Sequence, residues 1–211
     1  MAVAEQPENP WATRPHIPGQ GTVSTQPAAP AAVASGPASP QPRAVPQPRG
    51  GLHGRWITAG ESGAAGWLLG CHGGAGVSTL AATYRQFALR DASRVWPMAT
   101  PGAAPAAVVL VARTHHHGLS AAQTAAQQWA AGAVPGVRVA GLVLVADAPG
   151  KLPKPLNEFA LLVAGGVPQC WRLGWIDDLR FGGVPQPDHP AVRELTAQLP
   201  AVLTPNGVTT T

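Results

Sequence analysis

From Leu52 onward the chain alternates two kinds of pattern. Short unbroken apolar runs, the mark of strands buried on both faces, are separated by stretches whose apolar residues recur every three or four positions, the mark of helices with one buried side. The first run, "GWLLGC" (Gly66–Cys71), predicts a buried strand that ends in a glycine-rich turn. "STLAATYRQFALR" (Ser78–Arg90) follows, and Leu80, Tyr84, Phe87 and Ala88 at helical spacing predict a helix throughout. "RVWPM" predicts a short strand and "AAVVLVAR" (Ala106–Arg113) a central one. "SAAQTAAQQWAAG" reads as a helix capped by Ser120 and stopped by Gly132. "VAGLVLVAD" (Val139–Asp147) is the next strand, "LNEFALLVAGG" a helix ending on Gly165, and "PQCWRLGWI" another strand. "DHPAVRELTAQL" closes the series as a helix with Asp188 as cap and Pro190 in its first turn. Strands alternating with helices predict an α/β domain over residues 52–203, a parallel sheet with helices on both faces.

The first 51 residues are different in kind. "QPAAPAAVASGPASPQPRAVPQPRGG" is rich in Pro, Ala, Gln and Ser and has too little apolar surface to offset the entropy of ordering it. The expectation is a disordered N-terminal tail over 1–51 with local polyproline stretches, and a short disordered C-terminal tail over 204–211. Trp11 and Trp56 are the large apolar groups in or beside the long tail, so it is either a solvated arm or a docking arm for a protein partner.

Ligands of open parallel sheets sit at the carboxyl ends of the strands. The residues with chemistry to offer fall there: His72 after the first strand, Thr114 to His117 after a middle one, and Asp147 after the next. The stretch "GCHGGAGVSTLAA" (Gly70–Ala82) has the form of a phosphate-binding loop. Glycines let successive backbone N–H groups converge on phosphate oxygens, a lysine neutralises the outer phosphates, and a Ser or Thr hydroxyl holds magnesium. Here Gly73, Gly74 and Gly76 supply the turn, and Ser78 and Thr79 supply the hydroxyls. The slot before Ser78, where lysine belongs, holds Val77.

"CHGGAGVSTLA" resembles the deviant Walker A loop of the ParA/MinD-like ATPases, K-G-G-x-G-K-[ST]-[ST]. Gly73, Gly74, Gly76, Ser78 and Thr79 match it, Ala75 is its free position, His72 stands at the signature lysine and Val77 at the conventional lysine. "VVLVARTHHHGLSAAQTAAQQW" is similar to the family's strand, loop and helix beginning "VVLVTTP". "VAGLVLVADAP" is similar to its base-proximal strand, with Asp147 near the usual Asn, and "GVPQCWRLGWIDD" to its "PVLGVIPYD" segment. The likeness extends over most of Gly66 to Asp178, and the loop is its specific part. It implies a P-loop NTPase-like fold with ATP and magnesium as the ligands to test, bound by His72 through Thr79 and Asp147. The loop also resembles that of small bacterial proteins of unassigned function near plasmid-transfer or secretion genes, which implies a role in such a process as an expectation.

The departures qualify what the resemblance implies. Both lysines are missing, and no apolar strand ending in Asp fits a Walker B site in the expected place; Asp91 follows the first helix in a polar stretch. Without lysine, efficient phosphoryl transfer is not expected. A neutral His72 is a poor replacement near pH 7, and a protonated one a partial replacement. The preferred expectation is a non-catalytic or weakly nucleotide-binding accessory factor in plasmid transfer, partition or secretion. The alternative is an active ATPase that dimerises on nucleotide, and a third reading makes the core a scaffold for a partner-binding arm.

Other residues sharpen rather than change this picture. His115, His116 and His117 could hold a metal or phosphate, with the first and last on one side of an extended loop, but the expectation is a solvated loop with no metal. Asp147 either faces a base or caps a loop. Asp177 and Asp178 read as surface charge, and Cys71 and Cys170 as buried thiols. Net charge is +4, but the Lys and Arg are scattered with no basic run, so nucleic acid is not indicated. No apolar stretch is long enough to span a bilayer and the N-terminus lacks a signal-peptide pattern, so the expected location is cytoplasmic.

Overall fold

The computed structural model describes residues 36–204, and the parts of the expected tails at 1–35 and 205–211 lie outside them. It is an α/β fold. A five-stranded parallel sheet runs in the order β3 (Leu89–Asp91), β2 (Gly66–Gly70), β5 (Ala106–Arg113), β6 (Val137–Val145), β7 (Cys170–Leu173). A separate pair, β1 (Gly54–Trp56) and β4 (Trp96–Met98), is also parallel.

Side chains alternate along each strand between two cores. Trp67, Leu69, Val108, Leu110 and Ala112 face α2 (His116–Ala130) and α3 (Lys154–Ala164). Leu68, Ala107, Val109 and Val111 face α1 (Val77–Thr83) and α4 (Arg193–Leu203). In β6 the alternation switches phase part-way: Val137 and Val139 share a core with Leu142 and Leu144, while Ala140 joins Val143 and Val145 in the other. The cause is a bulge, since Val108 pairs with Val139 and Val109 with Gly141, which leaves Ala140 as the extra residue.

Three expected helices have different limits. The expected helix over Ser78–Arg90 ends at Thr83; residues 85–87 form a 3-10 turn, Ala88 is left-handed (φ 52°), and Leu89–Asp91 pair with Gly66–Leu68 as an edge strand. Burial of Leu89 against the sheet outweighs the helical propensity of the stretch. The second helix starts at His116 rather than at Ser120. His115 caps it, its Nδ1 accepting from the Gly118 amide (2.9 Å), and Ser120 Oγ donates back to the His116 carbonyl. In the last helix Asp188 and Pro190 lie in a turn before the start, and Val192 takes the cap position.

The expected tail reaches Gly51, but its described part, residues 36–51, lies against the domain without helix or strand. Gly36 donates to the Val167 carbonyl and Gln41 to the Ala130 carbonyl (2.9 and 2.7 Å), and Val45 packs on the core. The Gln128 side chain clasps both backbone groups of Leu52, which anchors the start of the domain. Among the described residues no helix is long and apolar enough to cross a membrane.

Candidate functional site

The chain leaves β2, forms β3 on one side of it, and returns as β5 on the other side. The helix after β2 and the helix after β5 lie on opposite faces. This is a topological switch point, where a crevice opens at the carboxyl ends of the strands. The glycine loop occupies it.

A cavity of about 400 Å³ opens over the loop, and His72 through Thr79 all line it. Gly74 (φ 74°) and Gly76 (φ 100°) take left-handed conformations, and a Cβ at either would meet nothing within 4 Å. Glycine is therefore there for backbone geometry rather than for packing. Among the described residues no backbone carbonyl accepts from the amides of Gly76, Val77, Ser78 or Thr79. Val77, in the lysine position, is buried in the core with Leu80 and Leu68.

His72 is 5% exposed, and both of its ring nitrogens are engaged. Nδ1 lies 2.8 Å from the Gly73 carbonyl, and Nε2 accepts from the Arg113 amide at 3.0 Å. A ring that donates through one nitrogen and accepts through the other is neutral. Burial pushes its pKa below the usual 6.5; the Gly73 carbonyl partly opposes this, and the nearby His115, His117 and Arg113 add to the lowering. The imidazole is a neutral brace between the loop and β5. Gly118 lets α2 approach this brace, since a Cβ there would collide with the Arg113 carbonyl and come within 2.9 Å of His72 Nε2.

The histidine run forms no extended loop. His115 precedes α2 while His116 and His117 lie in its first turn. His115 and His117 stand 5.0 and 6.0 Å from His72 between ring centroids, and His116 turns away to Phe159. With His72 spent at both nitrogens and His115 Nδ1 used as a cap, the cluster has few lone pairs to offer. Among the described residues no group of three or more His, Cys, Asp or Glu is placed to hold a metal ion.

Asp147 does not line the cavity. Its amide donates to Thr114 Oγ1, and its half-exposed carboxylate lies 4.0 Å from Arg113 Nη1. Asp177 and Asp178 begin a surface 3-10 turn, where Asp177 accepts from Trp175 Nε1. Cys71 is buried and its thiol is pushed up to about 12, which makes it inert.

Asp91, weighed and set aside from the sequence, lines the cavity, as do Arg94 and Arg113, which were given no role there. Ser78 Oγ donates to Asp91 Oδ2 at 2.9 Å, so the carboxylate set aside as part of a polar stretch meets the loop hydroxyl. The usable signal was position: Asp91 ends β3 and Arg113 ends β5, both at the carboxyl edge of the sheet.

A family model matches residues 64–195, more than half of the chain. The chain belongs to a family of unknown function (DUF6668). The DUF6668 match takes in every strand of the main sheet, the glycine loop, Asp91 and Arg113, and it starts after the segment that lies along the domain. No curated protein and no solved structure matches the chain.

Proposed function

We propose that this DUF6668 protein is a degenerate ParA/MinD-like phosphate-loop protein of the cytoplasm. It holds the phosphates of a nucleotide weakly, does not turn it over efficiently, and serves as an accessory or interaction factor, in plasmid transfer, partition or secretion. The observation that carries this reading is the loop itself: left-handed Gly74 and Gly76 at the switch point, with the amides of Gly76 to Thr79 unclaimed by any backbone carbonyl of the described residues. Val77 explains the weakness. Its side chain is in the core, so the loop has no lysine to reach the outer phosphates. A lost charge-assisted contact costs about 1.5–3 kcal/mol, or roughly tenfold to a hundredfold in affinity.

One observation favours the second reading, an active ATPase that dimerises on nucleotide. The Ser78 hydroxyl and the Asp91 carboxylate are hard oxygen donors side by side, a set that fits magnesium. Bound there, the ion would supply charge neutralisation at phosphate oxygens. Ser78 and Asp91 would hold it.

Calorimetric titration of the full chain with ATP, with and without magnesium, tests both readings when paired with phosphate release and sedimentation. The first reading expects weak binding that Ser78→Ala reduces, no release and no change in mass. Turnover that depends on Ser78, or dimer formation with ATP, would replace it with the second. No binding at any accessible concentration removes both.

A further inference from the structure

A polyphosphate needs more than amides, and the loop carries no cationic side chain of its own. Two arginines line the cavity from outside the loop, and the Arg113 side chain contacts the loop itself. Arg113 comes from the carboxyl end of β5 and Arg94 from the turn after β3. The negative group on the same walls, Asp91, is already engaged by Ser78 Oγ and the Ser93 amide. His72 is neutral, so the lining carries two positive side chains against one negative, while Asp147 lies outside the lining, 4.0 Å from Arg113 Nη1.

Arg113 is fixed relative to the loop at two levels. Its amide donates to His72 Nε2, and its Nε donates to the Gly74 carbonyl at 3.3 Å. Nη1 makes a contact of 3.4 Å with the Ala146 carbonyl and lies 4.0 Å from Asp147. These side-chain contacts are long for charged donors, and Nη2 has no partner among the described residues. The side chain is 28% exposed, so solvent screens its interactions less than at an open surface, and the residue lines the cavity. Arg94 is exposed, and its side chain makes no hydrogen bond within the described residues. An Arg fork suits bidentate contact with phosphate oxygens.

We propose that Arg113, assisted by Arg94, is the cation of this site, and that its ligand is a pyrophosphate-bearing anion held from the β5 side rather than by a lysine within the loop. The proposal rests on the phosphate-loop reading above and adds the residue and the ligand group. Arg113 binds; Asp147 acts only as a positioning residue that restrains the fork.

The test is calorimetric titration of the full chain with inorganic pyrophosphate at two salt concentrations, using wild type, Ser78→Ala, Arg94→Met, Arg113→Lys, Arg113→Gln and Arg113→Met. Wild type should bind. Arg113→Met should weaken binding at least tenfold and flatten its salt dependence. Arg113→Lys should recover part of the loss, and Arg94→Met should cost a few-fold. Arg113→Gln keeps a donor for the loop carbonyls without the charge, so a purely structural strut would leave its affinity unchanged while a binding cation would not. If Ser78→Ala weakens binding but Arg113→Gln and Arg113→Met bind like wild type, the cation assignment is overturned and the phosphate loop stands. If wild type binds neither pyrophosphate nor ATP, both fall.

Discussion

The two ends of the sheet carry two different cavities. At the amino end lies the larger, about 1000 Å³, walled mostly by Ala, Pro, Trp67 and Phe87, with Thr and Ser hydroxyls, Glu61 and Arg138 among them. At the carboxyl end lies the smaller, about 400 Å³, walled by the glycine loop, Asp91 and two arginines. The charged groups at the large cavity are already satisfied. Arg138 donates to the Val202 and Leu203 carbonyls, ending α4 (2.9 Å each), and Glu61 is gripped by Arg55, which holds its carboxyl down at about 2. At the small cavity the amides of Gly76 to Thr79 and the Nη2 of Arg113 are still without a protein acceptor among the described residues. What distinguishes the candidate site here is unspent backbone amides and an unspent charged donor, not volume.

That contrast is open to attack by substitution. The largest effect is expected at the brace beneath the loop. Gly118→Ala puts a methyl against the Arg113 carbonyl and His72, and should cost about 3 kcal/mol in urea unfolding together with loss of pyrophosphate binding. Arg138→Met removes two charge-assisted bonds at the opposite end. It should cost about 2 kcal/mol of stability and leave pyrophosphate affinity untouched. An affinity change there would mean that the two ends are not independent.

Val77→Lys separates the two properties in the other direction. Taking a buried valine out of the core should lower stability by about 1 kcal/mol, since the lysine stem can still cover apolar surface. A cation in the loop should then raise pyrophosphate affinity about tenfold, the size of one recovered charged contact. The smallest effect is on pH dependence. His72 is depressed below 6.5 in the fold, so the unfolded chain binds more protons between that lowered value and 6.5. Stability is therefore full above about 6.5 and falls as pH drops through that window. His72→Gln should flatten that slope in acid titrations followed by circular dichroism.

The long strands were legible in the sequence because burial on both faces leaves an unbroken apolar run. Ala106–Arg113 and the core of Val137–Val145 announce themselves in this way. The loop was legible because its glycines sit between such a run and a helix. What escaped was set by partners distant in sequence. Leu89–Asp91 is a strand only because Gly66–Leu68 lies beside it, and its polar residues hid Asp91 from view. His115 was hidden as a cap because Ser120 has the stronger capping tendency, while the chain starts α2 a turn earlier, with Gly118 against the end of β5. Arg113 was read as the end of a strand, and its relation to the loop depends on the pairing of β2 with β5.

The most direct test of the account is a nitrogen–proton correlation spectrum of the labelled full chain, recorded with increasing pyrophosphate. The prediction is that amide shifts concentrate on Gly73 through Thr79 and on Arg113, with Ala103 to Ala107 and Arg138 unmoved. Shifts that cluster on Ala103 to Ala107 and Arg138, or a spectrum that does not move at all, would contradict it.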